Sequence, residues 1–405
     1  MNSDFARAMS RATTSVRTQN LAEATAIIQA ALAGRPEPFP DPGFDTAPAA
    51  RFRIATDVED AETVEDAETV AARSARSPGP TERRSLRDVV ELLRRGRAAF
   101  DEMPLPGGAR ARAPAPPLPD GASFAWRNHA CAAGSRRYRL FVPSCPRSEL
   151  QGLVLMLHGC TQDPDDFAAG TGMNRLAEAR RFLVAYPEQP AAANLSSCWN
   201  WFEPGHQRRG AGEPAILAAL ARDLAAEFGL PADRVYAAGL SAGGAMAAVL
   251  AETYPETFAA VGIHSGLPCG SARDVASAFA AMRGQGALPP RARAMKADAR
   301  PRVIVFHGTA DRTVHPANAA AIADGFPQGG GLPQGGGESV ETGATAGRSW
   351  RRTRRQGADG VPEAEIWLID GAGHAWSGGD AAGSFTDPAG PAASAEMLRF
   401  FAAGR

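Results

Sequence analysis

The residues best placed to do chemistry lie in one short stretch, Gly239-Leu-Ser241-Ala-Gly243. The apolar run Val235-Tyr-Ala-Ala238 precedes it, and a string of good helix formers from Ala245 to Glu252 follows. That context predicts a buried strand, a sharp turn and a helix. A serine at such a turn is held in strained backbone geometry, and the glycines two positions to either side leave room for the crossing strand and helix. The strain lifts the hydroxyl clear of the sheet, and the helix aims its positive N-terminal end at the same spot.

A serine hydroxyl is a poor nucleophile at neutral pH. It needs a base, and the base needs an acid to orient it. Where the serine sits on such an elbow, the partners follow in the order Ser, Asp, His. Downstream of Ser241, Val303-Ile-Val-Phe306 reads as a strand with Asp311 in the loop after it. Ile366-Trp-Leu-Ile369 reads as a strand with His374 in the loop after it. Among the seven histidines, His129, His158 and His206 precede the serine, His264 ends the strand after the elbow helix, and His307 lies inside the Asp311 segment. His315 is the one serious rival to His374. Asp311 is preferred to Asp370, which ends the histidine's own strand, and to Asp298 and Asp324, which lack a strand-end setting.

A tetrahedral intermediate on Ser241 would carry an oxyanion, and each preorganised N–H donor to it is worth about 3 kcal/mol. The amide of Ala242 is the first candidate. The second is the amide of Cys160, in the loop His158-Gly-Cys160 that follows the apolar strand Leu153-Val-Leu-Met-Leu157. The role uses the backbone, and no base is placed to activate the Cys160 thiol as a rival nucleophile.

The elements that must hold these residues alternate. Strands are expected at 153–157, 182–187, 235–238, 259–263, 302–306 and 365–369, with helices at 172–181, 215–228 and after the serine. Most strands are apolar throughout, which argues for an α/β fold whose mainly parallel sheet is covered by helices on both faces. Ligands bind such sheets at the carboxyl ends of the strands, where Ser241, Asp311 and His374 all fall. Residues 123–142 alternate around Gly134-Ser135 and predict a hairpin at the sheet edge. The basic run Arg351-Arg-Thr-Arg-Arg355 reads as a solvated strand face, and the repeated Pro-Gln-Gly-Gly-Gly after Pro327 as a surface insertion.

The chain has 405 residues, 44% of them hydrophobic, with a net charge of −1. That balance supplies a core and gives no sign of a nucleic-acid partner. No apolar run reaches the length of a membrane span. No Cys-x-x-Cys or His-Glu-x-x-His pattern occurs, so no metal and no cofactor is expected. Five cysteines do not make a disulfide scaffold. Residues 1–34 carry two amphipathic patterns (Phe5, Met9, Ala12, Val16 and Leu21, Ala24, Ile28, Leu32), a helical hairpin that needs something to dock on: the rest of the chain, a second copy or a surface. Residues 35–120 form a proline-rich and acidic linker, with the repeat Val-Glu-Asp-Ala-Glu-Thr at Val58 and Val64 and one short helix from Ser85 to Phe100. Residues 121–405 are the expected catalytic domain. Met1–Arg7 has no apolar stretch of the secretory kind, so the expected location is cytoplasmic.

Five segments together carry a resemblance: Leu157-His-Gly-Cys160-Thr-Gln162, Ser197-Cys198-Trp199-Asn200-Trp201-Phe202, Gly239-Leu-Ser241-Ala-Gly-Gly244-Ala-Met246, His307-Gly-Thr-Ala-Asp311 and Gly371-Ala-Gly-His374-Ala-Trp-Ser-Gly378. Residues 121–405 resemble the short-chain poly(3-hydroxyalkanoate) depolymerases with the type 1 catalytic domain, a group of α/β-hydrolase fold that shares its superfamily with feruloyl and acetylxylan esterases. The resemblance implies an esterase with Ser241, Asp311 and His374 as its triad. It also implies that the Cys-Trp-Asn-Trp segment lies beside the mouth of the site, and it suggests a bond between Cys160 and Cys198, which would be unusual in a reducing cytoplasm. Trp199 and Trp201 are either exposed aromatics that grip an apolar polyester chain or core anchors of a long loop.

The expected function is therefore hydrolysis of poly- or oligo-3-hydroxybutyrate type esters through an acyl-enzyme. The alternative enzyme is a soluble short-acyl, feruloyl or acetylxylan esterase. A third reading is a protein held on a polyester granule, or to itself, by residues 1–34, with incidental catalysis.

Overall fold

The computed structural model describes residues 118–286, 301–325, 337–357 and 360–403. The hairpin expected at 1–34, the linker up to 117 and the glycine-rich repeat at 327–336 lie outside the described residues.

Ten strands form one sheet: β1 (Ser123–Cys131), β2 (Gly134–Val142), β3 (Gly152–Leu157), β4 (Phe182–Pro187), β5 (Val235–Leu240), β6 (Ala260–His264), β7 (Arg302–Gly308), β8 (Glu338–Thr345), β9 (Arg348–Gln356) and β10 (Pro362–Ile369). Their order is β1-β2-β4-β3-β5-β6-β7-β10-β9-β8. The six strands from β4 to β10 are parallel, and an antiparallel hairpin continues the sheet at each end. This is an α/β-hydrolase fold.

The central strands are apolar because both their faces are covered. Along β3, Leu153, Leu155 and Leu157 enter the core on one face, while Val154 and Met156 enter the core on the other. The helices that cover the sheet are α1 (Pro164–Thr171), α2 (Met173–Arg180), α3 (Gly212–Phe228), α4 (Ala242–Thr253), α5 (Val275–Met282), α6 (Ala317–Gly325) and α7 (Ala393–Ala402). Two further two-residue strands, Trp376–Ser377 and Thr386–Asp387, pair beside the histidine loop.

Two differences from the sequence-based expectation have physical causes. The helix expected over 172–181 is present as α2, and a further helix, α1, precedes it, the two being separated by Gly172 in a left-handed conformation (φ 58°). The start of α1 was signalled by Asp163-Pro164, where the Asp163 carboxylate accepts from the Asp166 amide at 2.8 Å and proline occupies the first helical turn. The strand β8 was not expected. Almost every residue in it is exposed, so no apolar alternation marks it. It pairs with β9, whose basic run is mostly half-buried rather than the solvated face expected, with Arg352 paired to Glu341, Arg354 to the buried Glu365 and Arg355 to Glu338.

Candidate active site

The elbow forms as its residue types dictate. Ser241 caps α4 with φ 57° and ψ −118°, a conformation side chains rarely adopt. Its amide donates to the His264 carbonyl at 2.9 Å, and its carbonyl accepts from the Ala245 amide at 2.9 Å, so the strained residue is tied to β6 and to its own helix. A Cβ on Gly239 would fall 2.4 Å from the backbone of Gly243, which leaves no alternative to glycine where the strand and helix cross.

Asp311 and His374 come together from the ends of adjacent parallel strands, β7 and β10. Their loops are stitched by the Thr309 amide donating to the Ile369 carbonyl at 2.9 Å and the Ala310 amide donating to the Ala372 carbonyl at 3.0 Å. His374 Nδ1 lies 2.8 Å from Asp311 Oδ2. The other carboxylate oxygen, Oδ1, accepts from the amides of Thr313 and Val314, each at 2.9 Å. Burial alone would raise the Asp311 carboxyl. The hydrogen bond and charge of His374, with the Val314 amide, outweigh it and hold the acid below its ordinary value. Asp311 is therefore a fixed anion behind the imidazole, and Nδ1 carries the proton it accepts.

Ser241 and His374 line one cavity of about 210 Å³. No hydrogen bond joins the Ser241 hydroxyl to His374 among the described residues, a link that is often long before substrate binds. The cavity wall also includes Gly159, Cys160, Ala242 and Leu240. The Ala242 amide, first of α4, has no carbonyl partner within its helix. Cys160 and Cys198 are joined as a disulfide. The bond fastens the loop after β3 to the tryptophan segment.

The two tryptophans part company, and neither is an exposed aromatic. Trp199 is 0% exposed and takes no part in the cavity wall, which corrects its expected place at the substrate. It is a core anchor whose indole Nε1 donates to the His158 carbonyl at 3.1 Å. Trp201 is 6% exposed and lines the cavity, edge-on to Phe202.

The rival histidines are all employed elsewhere. His129 pairs with Asp223 at 2.9 Å, and His206 lies 3.5 Å from Glu213 Oε2. His264 accepts from the Ser377 amide at 3.0 Å and stacks on Trp376, and burial drives its pKa down to about 3. His307 donates from Nε2 to the Val314 carbonyl at 2.8 Å and closes the Asp311 loop. Burial lowers its pKa as well. His315 is exposed and accepts from the Ala317 amide. Asp370 is exposed and bonded to the Thr309 hydroxyl, and Asp324 is exposed beside Arg355.

Sequence reasoning missed the apolar wall opposite the serine. Val275, Phe279 and Met282, at helical spacing on α5, line the cavity with Leu267 and Phe385. The signal was the capping box of Asp274 and Ser277, which marks a helix start. The sequence also gave no weight to Glu213. This carboxylate is 1% exposed, yet it accepts from the Asn200 amide and from the Asn200, Gln189 and Arg136 side chains. It holds the tryptophan segment from behind.

A serine in an elbow between β5 and α4, in a sheet of this strand order, defines the chain as an α/β-hydrolase. The family model for esterase PHB depolymerases matches residues 136–364, more than half of the chain, and the protein belongs to that family. It is 34% identical over 230 residues to poly(3-hydroxyalkanoate) depolymerase C of Paucimonas lemoignei, an alignment covering 55% of this chain and 54% of that protein. It is 31% identical over 178 residues to feruloyl esterase B of Neurospora crassa, covering 40% and 60%. It is 28% identical over 228 residues to a probable acetylxylan esterase A of Aspergillus flavus, covering 53% and 73%. The chain thus spans little more than half the length of the first two of these relatives.

Proposed function

We propose that the protein hydrolyses carboxylic esters through an acyl-enzyme on Ser241, with His374 as base, Asp311 as its orienting anion, and the Cys160 and Ala242 amides as donors to the oxyanion. The observation that carries this reading is the 2.8 Å contact between His374 Nδ1 and Asp311 Oδ2 at the edge of the cavity that Ser241 lines. With Nδ1 protonated toward Asp311, Nε2 is the nitrogen free to act. It takes the Ser241 proton as Oγ attacks the ester carbonyl. It returns that proton to the departing alkoxide as the tetrahedral intermediate collapses. It then takes a proton from water, whose oxygen attacks the acyl-serine, and gives it back to Ser241 as the acid leaves.

The preferred substrate is a poly- or oligo-3-hydroxybutyrate type ester. Support comes from family membership and from a cavity of about 210 Å³, apolar and sized for a short acyl unit. The second reading, a soluble short-acyl, feruloyl or acetylxylan esterase, is favoured by the relatives bearing those names. The expectation that residues 1–34 hold the protein on a granule or to a second copy remains a proposal of its own. No helix among the described residues is long and apolar enough to cross a membrane. The Cys160–Cys198 bond supports work in an oxidising compartment, opposite to the cytoplasmic location expected from Met1–Arg7.

The test is release of 3-hydroxybutyrate from amorphous polymer granules by wild type and Ser241→Ala, with a p-nitrophenyl ester alongside. Turnover of both substrates, abolished by the substitution, is the expected result. Turnover of the small ester alone would transfer the assignment to the soluble esterase, and turnover that survives Ser241→Ala would remove the serine mechanism.

A further inference from the structure

The side chains of α5 are sized the wrong way round for a helix that only covers a core. Such a helix turns its largest apolar groups inward. On α5 the two buried residues are both alanines, Ala278 and Ala281. The large ones, Val275, Phe279 and Met282, line the cavity. Val275 is 46% exposed, and Phe279 and Met282 are half-buried. Burying three such side chains stabilises a fold far more than burying two methyl groups, so α5 forgoes part of the core packing open to it.

The stripe is nonetheless fixed at both ends. At the start of α5 the Asp274 carboxylate accepts from the Ser277 amide at 2.7 Å. At its end the Met282 carbonyl accepts from the His315 amide at 2.7 Å, and the Ala281 carbonyl accepts from the Asn318 side chain at 3.0 Å. Met282 is thereby tied to the loop whose fully buried Val314 also lines the cavity, while Val275 lies at the exposed end. Two helical turns, about 10 Å of axis, separate the two residues. The result is an apolar surface that runs from the interior of the site to its rim. An acetyl group is too short to follow it, and a straight aliphatic chain is not. Only the acyl part of an ester stays bound through both half-reactions, so a fixed wall serves that part best.

We infer that α5 is a gauge of acyl length: Phe279 grips the middle of an unbranched aliphatic acyl chain and Val275 its far end. The helix takes this part only if the ester-hydrolase reading above holds, and it narrows that reading away from acetyl esters.

The test is kcat/KM on p-nitrophenyl acetate, butyrate, hexanoate and octanoate. In wild type it is expected to rise along the series to hexanoate, by up to about fourfold per buried methylene. Phe279→Ser is expected to lower the hexanoate-to-acetate ratio at least about tenfold, whereas Val275→Ser lowers the octanoate-to-hexanoate ratio about threefold and keeps the hexanoate-to-acetate ratio. Val340→Ser, on the exposed strand β8, is the control and should keep every ratio. A purely structural role would not order the losses by chain length.

Equal losses on all four esters, unchanged ratios in either variant, or a change confined to the leaving alcohol across ethyl, butyl and hexyl acetate would overturn the gauge. Because Val275 is exposed, its variant reports even where Phe279→Ser does not fold. Failure of the underlying reading looks different: wild type would turn over none of these esters, and a phosphonofluoridate would leave Ser241 unlabelled. Calorimetric titration with the hexanoate ester would then still report on α5, as tighter binding by wild type than by Phe279→Ser, and equal affinity would overturn the gauge.

Discussion

A Cβ placed on Gly243 would lie 2.0 Å from the carbonyl oxygen of Leu157, a backbone atom at the end of the neighbouring strand. The helix after the serine is packed directly on the strand that leads to the Cys160 loop, so nothing flexible can yield. Gly243→Ala is expected to destabilise the domain by at least about 2 kcal/mol, at or beyond the usual range for overpacking, and to abolish ester turnover. Gly373→Ala meets nothing within 4 Å and is the control, expected to keep its thermal midpoint. Differential scanning calorimetry on both variants checks the pair. A Gly243→Ala protein as stable as wild type would mean that the elbow is looser than described.

Asp311→Asn should leave the fold in place and lower kcat about 10³–10⁴-fold, because the amide no longer fixes the imidazole proton on Nδ1. A loss under tenfold in steady-state kinetics would assign the orienting acid elsewhere.

The tryptophans separate by position. Trp199→Ala is expected to cost about 3–5 kcal/mol of stability, as removal of a buried core ring does. Trp201→Ala should mainly change the choice of acyl chain, visible as a shift in relative kcat/KM across p-nitrophenyl acetate, butyrate and hexanoate. Identical stability losses with unchanged chain preference would place both rings in the core.

The disulfide closes a loop between residues 160 and 198, 38 apart, for which chain-entropy arguments give about 4 kcal/mol. Thiol titration of the denatured, unreduced chain should find three free groups, from Cys131, Cys145 and Cys269, against five after reduction. Five before reduction would refute the bond. Reduction should also lower kcat, since the loop bearing Cys160 loses its tie.

The contact between His206 and Glu213 sets a pH dependence of stability. The hydrogen bond and charge of Glu213 raise the His206 pKa above its ordinary 6.5. A raised histidine contributes stability that is fully present below the unfolded value and is lost as pH rises through the folded one. His206→Gln should therefore be less stable than wild type below about pH 6.5, with the gap closing at higher pH. Urea melts across pH 5–9 measure it, and a gap that widens with pH would contradict the assigned partner.

Much of this site was legible because each catalytic candidate stands at the end of a strand whose apolar run is unmistakable. The elbow, the Asp311 loop and the His374 loop could be read from local pattern and chain order. The surroundings could not. Trp199 and Trp201 have the same residue type two positions apart, and only the packing of the loop sends one into the core and the other to the cavity. Glu213 looks like an ordinary acidic first-turn residue of α3, and its burial follows from contacts with Asn200, Gln189 and Arg136 that are remote or irregular in sequence. The cavity wall on α5 comes from an element too short to announce which way its apolar side faces.

Ser241 leaves β5, Asp311 leaves β7 and His374 leaves β10, and β10 is the last of the parallel strands both in sequence and in the sheet. Renaturation is expected to build the serine elbow and its central neighbours before the His374 loop is in place, an order that kinetics must show. Recovery of turnover should report the docking of β10 on β7 rather than collapse of the core, and it should trail recovery of helical circular dichroism. Turnover that returns together with the helical signal would mean that β10 docks with the core and not after it.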